Sequence, residues 1–246
     1  MEISYIIHEL ESKYPLCKQE QWDHSGLQLG NIYNECKGIL ICLNVDENTI
    51  AQAIEHDCNL IISHHPFLFH PVKEIDTTTI RGKNIAQLIK NDITVYSMHT
   101  NYDALRMNSM LLEKLGCIYI ESVDESGICQ MGSFKLGLYF EELISLLKET
   151  FNHQHIRVCG KVPTKVKTIS LVAGSGHDYM KEALSQSDVF ITGDLTYTHA
   201  MDIIELKEGC VIELSHFIEE AFKQDIKDLV GDQALLATES DYYRYY

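Results

Sequence analysis

The chain has no C-x-x-C pair, no apolar run long enough to span a bilayer and no excess of basic residues. Each absence removes a class of function. Eight cysteines stand at 17, 36, 42, 58, 117, 129, 159 and 210, and without paired spacing they do not build a zinc ribbon or a thioredoxin-like redox site. A membrane helix needs about 18 consecutive apolar residues, and no such stretch occurs. With 20 Lys and Arg against 36 Asp and Glu, the net charge is −16. Such a surface disfavours nucleic acid, whose binding needs clustered cations to displace counterions. It leaves room for a local basic pocket and for carboxylates that hold divalent cations. The start, MEISYIIHEL, lacks a basic region followed by a cleavage site and reads as the first turns of a helix, not as a signal peptide. Cytoplasmic location with reduced thiols is the expectation. No low-complexity segment or flexible linker interrupts the chain.

What is present is an α/β pattern. Ile3, Ile6, Ile7 and Leu10 recur at helical spacing. GILICLNV (38–45), NLIIS (59–63) and ITVYSM (93–98) read as strands, separated by a helix that Asp46 or Asn48 can cap and by a second helix over 80–91. Strand, helix, strand, helix, strand implies a mostly parallel sheet. Residues 127–138 suggest a hairpin or edge pair, and 140–151 a helix. From 166 the plan restarts, with strand VKTISLVAG, helix DYMKEALSQ and strand DVFITGD. Segments 39–65 and 169–194 share one order of elements. The predicted architecture is therefore two similar α/β lobes with mostly parallel sheets and a metal site in the cleft between them. The first lobe is placed at 1–125 and the second at 126–246, with the last segment, about 210–246, able to pack back on the first.

The polar residues at strand ends are the most informative. NLIIS leads directly into His64, His65 and Pro66. Pro66 ends the strand because it cannot donate to a ladder, and neutral imidazole is the commonest transition-metal ligand. MHTNYDA (98–104) places His99 and Asp103 four residues apart after a strand. TGDLTYTHA (192–200) carries Asp194 and His199, and ELSHFIEE (213–220) carries His216 and Glu220, with Ser215 as an N-cap. A single His/acid pair at this spacing is commonly a surface helical contact. Several such turns following strands of one sheet converge on one edge, where ligands of open α/β sheets bind. Five ligand candidates emerge: His64, His65, Asp103, His216 and Glu220. Three imidazoles with two carboxylates exceed the need of one open zinc site and suit two divalent ions, with Zn, Mn, Fe, Co or Ni all compatible.

The motifs WDHSGLQLG, ISHHPFLF, HTNYDA, TGDLTY and SHFIEE resemble the GTP cyclohydrolase 1 type 2 homologues, also called Nif-three-like dinuclear-metal-centre proteins. The likeness covers essentially the whole chain, in the short form without a central insertion. It maps the metal ligands onto His64, His65, Asp103, His216 and Glu220, and the choice of Glu220 over Glu219 leans on it. It also implies two interlocked α/β lobes and a homohexameric ring with metal sites facing an inner cavity. Four positions depart from the family pattern: His24 stands for Asn, Ser215 for Gly, Glu219 for a small hydroxyl residue, and Thr198 for a His that here comes one position later. These changes surround the ligands and leave them in place.

The leading function is a metal-dependent hydrolase acting on a small-molecule, nucleotide-like substrate, with His99 or His199 shuttling the proton. If the family name holds literally, the electrophile is the imidazole carbon of the guanine ring of GTP. A phosphoesterase is the alternative within the enzymes, and a non-catalytic metal-binding scaffold or regulator the alternative outside them. GSGH (174–177) is read as a tight turn, since it lacks the full glycine pattern and the Lys of a phosphate-binding loop. Trp22 is expected to pack on the core, with Asp23 capping a turn or lining the cavity.

Overall fold

The computed structural model describes residues 1–206 and 209–244. In chain order the elements are α1 (Ile3–Lys13), β1 (Gly26–Leu29), β2 (Ile39–Cys42), α2 (Glu47–Glu55), β3 (Leu60–Ser63), α3 (Ile80–Lys90), β4 (Thr94–Ser97) and α4 (Thr100–Tyr102). A π-helical turn, Asp103–Met107, leads into α5 (Asn108–Lys114), β5 (Ile118–Ser122), β6 (Gln130–Tyr139), α6 (Phe140–Thr150), β7 (Arg157–Gly160) and β8 (Lys165–Val172). Then follow α7 (Met180–Gln186), β9 (Val189–Thr192), α8 (Tyr197–Leu206), β10 (Cys210–Glu213), a 3-10 turn His216–Glu220, α9 (Ala221–Val230) and β11 (Ala234–Leu236).

Two compact units result. The first comprises Met1–Tyr102 with Glu220–Ser240, and the second comprises Asp103–Glu219 with the residues from Asp241 onward. The sequence places a division at 125/126. The structure draws it after Tyr102 and gives Glu220–Ser240 to the first unit, because β11 pairs in parallel with β2 through Ala234↔Ile39 and Leu236↔Ile41. A three-residue edge strand supplies few side chains, so its partner, not its own pattern, decides where it lies.

The first unit holds a sheet in the order β1-β4-β3-β2-β11. Strands β2, β3 and β4 run parallel with residues buried along their whole length, as a sheet covered on both faces requires. β1 closes the other edge antiparallel to β4. The predicted stripe of α1 is buried at Ile3, Ile6, Ile7 and Leu10. Asp46 caps α2 in a reciprocal box with Thr49, satisfying helix N–H groups that have no partner within the helix. Ile50, Ala53 and Leu88 from the helices meet Leu40, Ile61 and Val95 of the sheet.

The second unit holds a sheet in the order β5-β6-β8-β9-β10-β7. Its centre, β8, β9 and β10, is parallel, while β5, β6 and β7 are joined antiparallel. This sheet is mixed, where the sequence suggests a mostly parallel one. The hairpin β5–β6 needs only a short connection and so adds antiparallel strands. The restart is visible in the topology: β2, α2, β3 and β8, α7, β9 are both strand–helix–strand units with parallel strands. Phe190, Val211, Met180 and Ile203 are buried in this unit's core.

Candidate metal centre

In the first unit, β3 and β4 are adjacent, parallel and in register at Ser63↔Ser97. The segments leaving their carboxyl ends are therefore neighbours, and these carry His64, His65 and His99. The strand ends are pinned together by the buried Ser63 and Ser97 hydroxyls, 2.7 Å apart. Ser63 Oγ also donates to the His65 carbonyl at 3.0 Å, which shapes the turn holding both histidines. The ring centroids lie 5.0 Å apart for His64–His65, 5.3 Å for His64–His99 and 5.7 Å for His65–His99.

Each of these three rings gives Nδ1 to an oxygen. His64 Nδ1 donates to the Met98 carbonyl at 2.8 Å. His65 Nδ1 donates to Asn44 Oδ1 at 2.9 Å, and His99 Nδ1 to Asp23 Oδ1 at 2.8 Å. The acceptors set the tautomer, so Nε2 remains as the ligating or proton-accepting nitrogen of each ring. One ring nitrogen from each of the three falls within 4.8 Å of the other two. This donor set fits a divalent transition metal, and the backing of each imidazole by an oxygen acceptor is the arrangement metal-bound histidines use.

The supports of these rings are themselves fixed. Glu239 accepts from the backbone N–H groups of Leu43 and Asn44 at 2.8 and 3.0 Å, holding Asn44 behind His65. His64 is fully buried and packs against Phe222 at 5.1 Å between ring centroids. Asp23, whose side chain has no exposed surface, accepts from His24 N–H, Ser25 Oγ, Thr100 N–H and Thr100 Oγ1 as well as from His99. Burial alone raises its carboxyl pKa. The hydrogen bond and charge of His99, with Thr100 and His24, outweigh burial and hold it well below the usual carboxylate range.

In the second unit, β9 leads to Gly193 and Asp194, and the neighbouring β10 leads to Ser215 and His216. His216 Nδ1 donates to Asp194 Oδ2, and its Nε2 lies 3.0 Å from Glu219 Oε2. Burial opposes a charge on this imidazole, but Glu219 and Asp194 overcome it and push its pKa up to about 11. Glu219 is 2% exposed. It lies so close over Gly174 that a Cβ built there stands 2.8 Å from Glu219 Oε1.

The Glu220 carboxylate lies 2.8 Å from Lys223 Nζ. Asp103 opens the π-helical turn and is half-buried. π-Turns inside helices recur at functional sites. His199 stacks on His177, with centroids 4.2 Å apart and planes 10° from parallel. The structure thus joins Asp194 to His216, whereas sequence spacing paired it with His199. The Gly176 N–H donates to Thr192 Oγ1, in keeping with a tight turn at GSGH. Trp22, expected in the core, is 59% exposed, because the turn that Asp23 anchors carries it outward. The Asp23–His99 contact spans 76 residues, and only the position of Asp23 beside a glycine-bearing loop hinted at it.

Fold and site together define an α/β protein with imidazole and carboxylate clusters at its strand ends that can hold a metal ion. The chain belongs to the Duf34/NIF3 (NGG1p interacting factor 3) family, whose profile matches residues 1–241. It is similar to a GTP cyclohydrolase 1 type 2 homolog of Clostridium perfringens, 34% identical over 229 residues, covering 89% of this chain and 87% of the relative. A protein of the same name from Campylobacter jejuni is 33% identical over 236 residues, covering 93% of each chain. A Bacillus cereus protein related to NIF3 has the same fold, with a TM-score of 0.92 and 21% identity over 100% of this chain and 99% of that one.

Proposed function

We propose that the protein is a dinuclear-metal hydrolase acting on a nucleotide-like substrate, with ring opening of GTP as the leading reaction. The observation that carries this reading is the trio His64, His65 and His99, each with Nδ1 committed to an oxygen. His64, His65, Asp103, His216 and Glu220 are the ligands of two divalent ions per subunit, a set supported by the family's motifs. Such ions supply Lewis acidity to the electrophile and to the attacking water. The metal is Zn, Mn, Fe, Co or Ni.

His99 handles the proton. Asp23 accepts from its Nδ1, so proton exchange falls to Nε2, which takes a proton from water as the nucleophile adds and returns it to the leaving nitrogen. One water is consumed, one C–N bond of the five-membered ring breaks, and a formamide forms. His199, the other proton-shuttle candidate, stands against His177, which favours His99 for this step. We place the activity in the cytoplasm, a reading supported by eight free cysteines. We also propose a homohexamer. Self-association is favoured by the exposed Tyr197, Met201 and Ile204 at helical spacing along α8, and sedimentation at the mass of six chains would bear it out.

The test is incubation of purified protein with GTP, other nucleotides and phosphoesters, with each metal and after chelation. Metal-dependent ring opening of GTP, lost in His65→Ala, is expected. Turnover of phosphoesters alone would move the reading to a phosphoesterase. No turnover above the His65→Ala control would leave a metal-binding scaffold.

A further inference from the structure

Beside the imidazole cluster of the first unit stand two large aromatic side chains that the hydrophobic core does not use. Trp22 is 59% exposed and Phe69 37%. Their ring centroids are 6.0 Å apart and their planes meet at 55°. Both also reach the proton-handling imidazole. Trp22 meets His99 edge-on at 6.0 Å, and Phe69 meets it at 6.3 Å.

These rings are not loose surface residues, because the loops that carry them are tied together. His24 Nδ1 donates to the Leu68 carbonyl at 3.0 Å. Leu68 N–H donates to Gln28 Oε1 at 3.0 Å, and Gln28 Nε2 returns to the His24 carbonyl at 2.7 Å. Gln28 is only 7% exposed, so its two bonds are partly buried, while the His24–Leu68 bond lies at the surface. Arg81 adds a bond to the Phe67 carbonyl at 3.1 Å. An ordered aromatic surface binds at low entropic cost, since few rotors remain to be frozen.

We infer that Trp22 and Phe69 form a platform that binds a planar heteroaromatic ring, such as a purine base, and holds it against His99. The inference rests on the hydrolase reading for the identity of the ring. Two faces inclined at 55° let one flat ring stack on one side chain and turn its edge toward the other, the two arrangements aromatic rings prefer. Stacking of this kind recognises the base, not the phosphates, and every base offers a π-face. The His24 ring, which stands where the resemblance expects Asn, supplies the bond to Leu68 that joins the two loops.

Trp22 is the single tryptophan of the chain, so its fluorescence reports on the platform directly. The whole protein would be titrated with guanosine, GTP and inorganic triphosphate, and Trp22 emission followed. Guanosine and GTP should change it saturably, and triphosphate should not. Phe69→Ala should weaken guanosine binding about tenfold, while Phe69→Tyr, which keeps the ring, should bind as the wild type does. Emission unmoved by guanosine, or equal affinity in Phe69→Ala and wild type, would overturn the platform. GTP turnover is scored separately. Turnover with a silent Trp22 removes the platform and leaves the hydrolase standing, whereas saturable quenching without turnover keeps the platform and removes the reaction.

Discussion

Asp23 holds five hydrogen bonds on one buried carboxylate, and its removal should be felt in stability before chemistry. Its depressed pKa means that its stabilising effect is present above the ordinary carboxylate value of 3.8 and is lost as pH falls through the folded-state value. Asp23→Asn should therefore cost about 2 kcal/mol at pH 7, and the gap to wild type should narrow in acid. Denaturant melts at pH 7 and pH 3 would show this, and a gap that is constant or grows in acid would contradict it. His64 and His65 were legible in the sequence because a buried apolar strand ran straight into them. The Asp23–His99 dyad was not, since a turn aspartate pairs with a strand-end histidine only once β1 and β4 lie side by side. Glu219, which the sequence reading sets behind Glu220, has its carboxylate 3.0 Å from His216 Nε2. Spacing of four residues favours Glu220 on an α-helix, but residues 216–220 form a 3-10 turn, in which positions three apart eclipse.

Elements with strong apolar runs were read correctly, and the edges were not. The quartets of β2, β3, β4 and β9 are buried on both faces, so hydrophobicity alone marks them. The edge strands β1, β7 and β11 are three or four residues long and exist because a fully buried neighbour offers a ladder, which leaves little trace in their composition. The turn after β9 is similarly defined by packing. A Cβ at Gly193 would stand 1.9 Å from the Ala173 carbonyl oxygen, and no rotamer relieves a clash with backbone. Gly193→Ala should lose about 3 kcal/mol or fail to fold and should displace Asp194 from His216. Thermal melting compared with Gly137→Ala, a site where a Cβ comes no closer than 3.4 Å to its neighbours, separates packing from the loss of a flexible residue. Equal melting temperatures would contradict the account.

At the scale of the molecule, one plan is used twice: parallel strands deliver histidines and carboxylates to their carboxyl ends. Among the described residues no helix is long and apolar enough to cross a membrane. The excess of acidic residues is weak evidence when counted alone; divalent cations on the proposed ligands would offset part of it. The central claim is that His64, His65, Asp103, His216 and Glu220 grip two metal ions. Elemental analysis of protein purified without chelator tests it most directly. The account predicts about two first-row transition metals per chain, falling in His64→Ala and in Glu220→Ala, with Glu219→Ala as the comparison that decides between adjacent carboxylates. Wild-type protein that arrives without metal and takes up none on loading would contradict it.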